Sequence, residues 1–230
     1  MQEIKKGRFI VIEGGDGSGK GTQTDLLITY LKEHAIAYAH LDFPNYDSFF
    51  GKLTAKFLRG ELGKLDEISP YFASLPFALD RNEAKKTIQS YLDEGKLVVA
   101  NRYVSSNMAH QGSKIENSEE RKEFISWLEQ LEYKVHGIPQ PDLYILLYMP
   151  WQKAKELTTH KQERSYLNGE TEDIQEADDK HRIKTEEMYT YLADHNKSWR
   201  TINCVENDTI ISKEIIHKKI ISVLQDEHII

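Results

Sequence analysis

With 230 residues, 39% of them apolar and 10% aromatic, the chain carries enough hydrophobic material for a packed core and is not a disordered polyelectrolyte. Thirty basic against 37 acidic residues leave a net charge of −7 with no Lys/Arg block, which argues against a duplex-DNA binder. Cys204 is the only cysteine, so neither a disulfide framework nor a cysteine-based zinc site is expected. Apolar runs are too short to span a bilayer, and the polar start, Met1 to Gly7, lacks the apolar stretch of a secretion signal. The expectation is a cytoplasmic protein with no membrane or nucleic-acid partner.

The first predicted element is a strand at Phe9–Glu13. It runs into Gly14-Gly15-Asp16-Gly17-Ser18-Gly19-Lys20-Gly21-Thr22, after which a helix places Leu27 and Leu31 one turn apart beside Leu26 and Tyr30. A second strand is predicted at Ala37–Phe43. Ser69 and Pro70 read as the N-cap and first residue of a helix that reaches about Glu94, kinked at Pro76 and ended by Gly95. Strands at Leu97–Ala100, Leu143–Met149 and Trp199–Val205 follow. Ile216, Ile220, Val223 and Leu224 give the last helix its apolar stripe. Five short apolar strands alternating with helices imply an α/β three-layer sandwich, with a five-stranded parallel sheet and one domain over residues 1–230. One segment breaks this pattern. Between Thr158 and His181 the apolar residues are Tyr166, Leu167, Ile174 and Ala177, too few to bury much surface, so it reads as a solvated loop or a mobile lid at about 158–181.

The glycine-rich turn is the strongest chemical signal. Successive backbone N–H groups and the start of the following helix make an anion cradle into which Lys20 can bring its ammonium. The spacing G-x-x-x-x-G-K is met, but Gly21 follows the lysine and the hydroxyl comes one later, at Thr22. Residues Gly14, Gly15, Asp16, Gly17, Ser18, Gly19, Lys20, Gly21 and Thr22 are therefore the expected nucleotide-binding loop, with Thr22 the candidate metal ligand. The nine histidines show no metal-ligand spacing and read as surface or packing residues.

Four further segments, in order along the chain, complete a resemblance. They are Asp42-Phe43-Pro44; Phe77 through Arg81-Asn82-Glu83; Asn101-Arg102-Tyr103 continuing to Ser106, Ala109, Gln111 and Gly112; and Ile138-Pro139-Gln140-Pro141-Asp142-Leu143. With the phosphate loop, they make the chain resemble the thymidylate kinases, nucleoside monophosphate kinases of the P-loop class. The resemblance implies a sheet with a lid, a homodimer, and ATP- and magnesium-dependent conversion of dTMP to dTDP. It implies that Phe77 stacks on thymine, that Arg81 bonds its O4, and that Phe43 and Pro44 wall the pocket. Arg102 would hold the monophosphate, Ser106 and Gln111 would line the base site, Asp16 would lie near the sugar hydroxyl, and Tyr166 against the deoxyribose.

Several positions depart from the family pattern. Asn101 stands where an aspartate near the magnesium is usual, Gly21 where Ser or Thr is usual, His110 where an aromatic is usual, and Tyr46 where some members carry arginine. Lys155 stands in for an arginine against adenine. Because Gly17 rather than arginine follows Asp16, the resemblance assigns the catalytic lid arginine to Arg164, with Arg182 in reserve. A monophosphate oxygen is already anionic near neutral pH, so the reaction needs positive donors rather than a strong base, and the candidates are Lys20, Arg102 and Arg164. Two alternatives keep the fold: a kinase for another nucleoside monophosphate or a deoxynucleoside, and a nucleotide-binding protein with reduced turnover.

Overall fold

The computed structural model describes residues 6–158, 165–167 and 172–230. Five strands, β1 (Arg8–Glu13), β2 (Tyr38–Asp42), β3 (Leu97–Asn101), β4 (Leu143–Tyr148) and β5 (Trp199–Asn203), pair in parallel in the order β2-β3-β1-β4-β5. Central β1 has Phe9, Ile10, Val11 and Ile12 fully buried. Phe9 and Val11 face one helical layer, α3 (Pro70–Asp93), α4 (Val104–Gly112), α5 (Ser118–Glu129) and α7 (Asp179–Asp194). Ile10 and Ile12 face α1 (Lys20–Glu33) and α8 (Lys213–Asp226) on the other side. Burial on both faces explains why the strands read as continuous apolar runs rather than alternating ones. The predicted three-layer α/β sandwich is thus the observed architecture.

The expected strand positions hold to within a residue or two, and the differences have local causes. β5 stops at Asn203, and Val205 starts a small hairpin, β6 (Val205–Glu206) with β7 (Thr209–Ile210), that turns through positive φ at Asn207 and Asp208. Helix α3 runs unbroken through Pro76, because the residues around it are packed against α2 (Phe49–Leu58) and the core. Gly95, at φ +75°, follows its end as expected. The proposed lid is a correction in part. α6 (Trp151–Thr158) reaches its first residue and α7 begins at Asp179, so residues 179–181 are helical. Its described part is also far from solvated: Asp173, Gln175, Glu176 and His181 are all buried. Composition misses this because part of the burial rests on local hydrogen bonds to the backbone. Asp173 accepts the backbone N–H groups of Gln175 and Glu176, and Ile174 N–H donates to Leu58 O at 2.9 Å. Among the described residues no helix is long and apolar enough to cross a membrane.

The carboxyl ends of β1, β2 and β3 open on one edge of the sheet, where ligands of such folds collect. The loop after β2 is fixed there by Asp80 of α3, which accepts Asn45 N–H at 2.9 Å and Ser48 Oγ–H at 2.6 Å. Ser48 in turn caps α2 by accepting Gly51 N–H at 2.8 Å. The chain folds back so closely that a Cβ on Gly51 would meet Asn45 O at 1.7 Å. Gly51→Ala should therefore cost about 1–3 kcal/mol of stability, read as a melting temperature several degrees lower. An unchanged melting temperature would contradict this packing.

Candidate active site

The loop after β1 is shaped by glycines at φ +149°, +88° and +87° (Gly14, Gly17 and Gly19). A side chain at Gly14 would collide with Ser18 Oγ at 2.6 Å and Leu147 O at 2.7 Å, so the loop can pass only as glycine. Lys20, the first residue of α1, folds its ammonium back over the loop and donates to Gly14 O and Gly15 O, each at 2.8 Å. Gly17, Gly19, Lys20, Gly21 and Thr22 line a cavity of about 530 Å³, which is nucleotide-sized. Ser18 is buried in the loop's interior and does not line that cavity.

Arg102 follows β3 in a left-handed conformation, φ +65°, and its N–H donates to Ile12 O at 3.0 Å. That turn carries its guanidinium to Asp16 in the phosphate loop, with which it forms an ion pair. Its Nη1 lies 3.4 Å from Ser106 Oγ, 3.3 Å from His110 Nε2 and 3.5 Å from Tyr189 OH. Burial drives the His110 pKa far below its usual value, against the pull of Asp16, so the ring is neutral and accepts from Arg102. Its Nδ1 lies 3.3 Å from Nε2 of His181, whose pKa burial lowers to about 4. Two histidines that read as unrelated in sequence therefore form one neutral buried pair behind Arg102.

Beneath this group lies Glu13, fully buried at the end of β1 and not anticipated from the sequence. It accepts Tyr103 N–H at 3.0 Å, Ser105 and Ser106 Oγ–H at 2.6 Å each, and Tyr189 OH at 3.1 Å. Its sequence signal is a lone acid closing an otherwise apolar central strand. Ser106 lines the cavity, but its hydroxyl proton is committed to Glu13. Its oxygen also accepts from Arg102, so within the cavity wall it braces that guanidinium.

The other cavity wall contains Phe43, Pro44, Phe77, Arg81, Gln111, Tyr46, Tyr166 and Asp173. Phe43-Pro44 is a cis peptide, and Phe43 packs on Tyr103. Phe77 and Arg81 lie one turn apart on α3, as expected. Gln111 is fully buried and its Nε2 has no partner among the described residues. Tyr166 stacks on Tyr46 at 4.1 Å and donates to Asp173 Oδ2 at 3.1 Å. Asn101 Nδ2 donates to Asp42 Oδ1 at 2.8 Å, so the carboxylate at this edge sits on β2 rather than β3. Although burial opposes its charge, the His40 ring and the Asn101 amide hold the Asp42 pKa below the usual range.

Two sequence candidates lie elsewhere, and a third falls outside the described residues. Lys155 pairs with Asp179 at 2.7 Å and does not line the cavity. Arg182 is buried, donating to Glu176 O at 2.5 Å and pairing with Glu172 at 3.1 Å. Arg164 lies outside the described residues.

The family model described as thymidylate kinase matches residues 12–220. The chain belongs to the thymidylate kinase family. A thymidylate kinase of Mycobacterium tuberculosis is 32% identical over 186 residues, covering 80% of this chain and 85% of that protein. A probable thymidylate kinase of Pyrococcus abyssi is also 32% identical, over 224 residues, covering 96% and 98%. The solved thymidylate kinase of Candida albicans shares the fold, with a TM-score of 0.73 over 97% of this chain and 93% of that one at 22% identity.

Within this thymidylate kinase site, Asp173 carries the clearest titration signature. Burial, with Asp16 and Glu176 adding to it, pushes its pKa up to about 7. The folded value lies above the unfolded one, so the stability contributed by the neutral acid is complete below about pH 4 and is lost as pH rises through about 7. Asp173→Asn should accordingly gain on the parent in melting temperature from roughly pH 4 to pH 8. A difference that stays constant across that range would exclude Asp173 as the titrating group.

Proposed function

We propose that this chain transfers the γ-phosphoryl group of ATP to dTMP, giving dTDP for dTTP synthesis, with magnesium as cofactor. The reading is carried by one observation: Lys20 and Thr22 share a cavity with Arg102, Phe77, Arg81 and Gln111. A polyphosphate and a nucleobase can be gripped there together, and positioning is most of what phosphoryl transfer needs.

Each residue then has a defined task. The backbone of residues 14–22 wraps the donor phosphates while Lys20 swings its ammonium from the loop carbonyls onto the β- and γ-phosphate oxygens. Arg102 holds the acceptor monophosphate, and Asp16 both orients Arg102 and offers its second oxygen to the sugar hydroxyl. Phe77 stacks on thymine, Arg81 donates to O4, Gln111 Nε2 donates to the base edge, Phe43 and Pro44 wall the ring, and Tyr166 lies against the deoxyribose. Thr22 and the Asp42 carboxylate line the same cavity, an oxygen-donor set that suits magnesium. Thr22 would hold the ion with phosphate oxygens, and its charge would be supplied to the transferring group. Arg164 keeps its assignment to the phosphates, and the segment between α6 and α7 its assignment as a lid, on sequence grounds. We place the enzyme in the cytoplasm.

A homodimer is supported by an apolar face that one chain leaves uncovered. Phe49 and Phe72 are 76% and 72% exposed, Leu53 lies one turn from Phe49 on α2, and Leu75 and Leu79 continue the Phe72 stripe along α3. Phe72→Glu should convert a dimer to a monomer in light scattering; a variant that remains dimeric puts the interface elsewhere.

For the activity, a panel of nucleoside monophosphates with ATP and magnesium should give fastest ADP formation with dTMP. Arg81→Ala should raise the KM for dTMP about ten-fold or more while leaving that for ATP within about two-fold. Equal losses for both substrates would contradict the base pocket.

A further inference from the structure

Arg81 is the buried cation of the base pocket, and its geometry is set by a residue outside the family segments described above. Its Nε donates to Glu132 Oε1 at 3.0 Å, and its Nη2 donates to the same oxygen. Arg81 is 2% exposed and Glu132 is fully buried. With one edge of the guanidinium occupied, Nη1 makes, among the described residues, one long contact, 3.4 Å to Tyr103 O. That nitrogen belongs to the edge that remains for a ligand in the cavity Arg81 lines.

Glu132 is held unusually firmly for this task. It lies on a π-helical turn, Gln130–His136, that extends α5, and such turns concentrate at functional positions. Lys85, one turn beyond Arg81 on α3, donates to His136 O at 2.6 Å. Ile138 N–H donates to Glu132 O at 3.1 Å, and Tyr133 OH meets Tyr144 OH at 3.0 Å. The turn is thereby tied to α3 and to β4. Stability alone gives no reason for this arrangement. A buried ion pair is commonly no more stabilising than an apolar pair of equal volume. Among the described residues Glu132 Oε2 is moreover buried with no hydrogen-bond partner, 4.0 Å from His136 Nδ1, which has none either. A carboxylate that spends one oxygen on both arginine nitrogens while the other goes unsatisfied serves orientation rather than stability.

We propose that Glu132 is the positioning residue of the acceptor-base pocket: it fixes the guanidinium plane of Arg81 so that the Nη1 edge faces a carbonyl on the pyrimidine, selecting O4 of thymine over the amino group of cytosine. This rests on the dTMP kinase reading. A carbonyl accepts from that edge, whereas an amino group in the same place sets donor against donor.

The experiment is a double-mutant cycle of Glu132→Gln and Arg81→Lys, read by calorimetric titration of dTMP and by KM for dTMP, dCMP and ATP. Glu132→Gln keeps shape and removes charge. It should raise the dTMP dissociation constant and KM about ten-fold, lower the dTMP-to-dCMP ratio of kcat/KM by a similar factor, and leave the ATP KM within about two-fold. Once Arg81→Lys is present, the second substitution should add little. Additive effects, an unchanged acceptor ratio, or equal losses for dTMP and ATP would overturn the proposal. Should Glu132→Gln not fold, Glu132→Asp keeps the charge and withdraws the oxygen, and the same split between acceptor and ATP decides. A parent enzyme that fails to use dTMP would instead refute the functional reading itself.

Discussion

Glu13 is the fixed point of the molecule's chemistry. A carboxylate buried at the end of the central strand would be intolerable without donors, and four surround it, from Tyr103, Ser105, Ser106 and Tyr189. Those donors come from the start of α4 and from α7, so satisfying one buried charge locks three elements together. Arg102 sits in the turn they enclose, in a left-handed backbone that its N–H bond to Ile12 O helps to hold. Removing Glu13 would strand four polar groups in the core and loosen the Ser106 hydroxyl that contacts Arg102.

The same economy appears at the phosphate loop. Asp16 lies inside the glycine turn yet pairs with Arg102 from the next strand but one in sequence. The glycine loop and the turn after β3 are thus joined by an ion pair. His110 contributes by being neutral: a charged ring at that distance would repel Arg102, and burial prevents it. The departure from an aromatic residue at this position therefore has a physical account, since the imidazole accepts a bond that a phenyl ring could not.

Much of this was legible in the sequence, and what was not has identifiable causes. The five strands, the glycine turn and the helical pairing of Phe77 with Arg81 depend on local spacing, which sequence records directly. Glu13, Glu132 and Asp173 depend on partners up to 176 residues away, so each reads locally as an ordinary acid. The segment before α7 misled for a related reason. Its composition is polar, but Asp173 caps its own backbone and faces the cavity, while Ile174 packs toward Phe57 and Leu58, so a few residues suffice to bury it. Ser106 lines the cavity, but its bond to Glu13, 93 residues away in sequence, leaves no local trace.

Helix α3 carries Phe77, Asp80 and Arg81 within little more than one turn. Asp80 grips the loop bearing Phe43 and Pro44, while Arg81 and Lys85 grip the turn bearing Glu132. This wall of the cavity is consequently a cassette mounted on a single rod. A change along that rod can reshape the wall, while the glycine loop after β1 and Arg102 after β3 keep supports of their own.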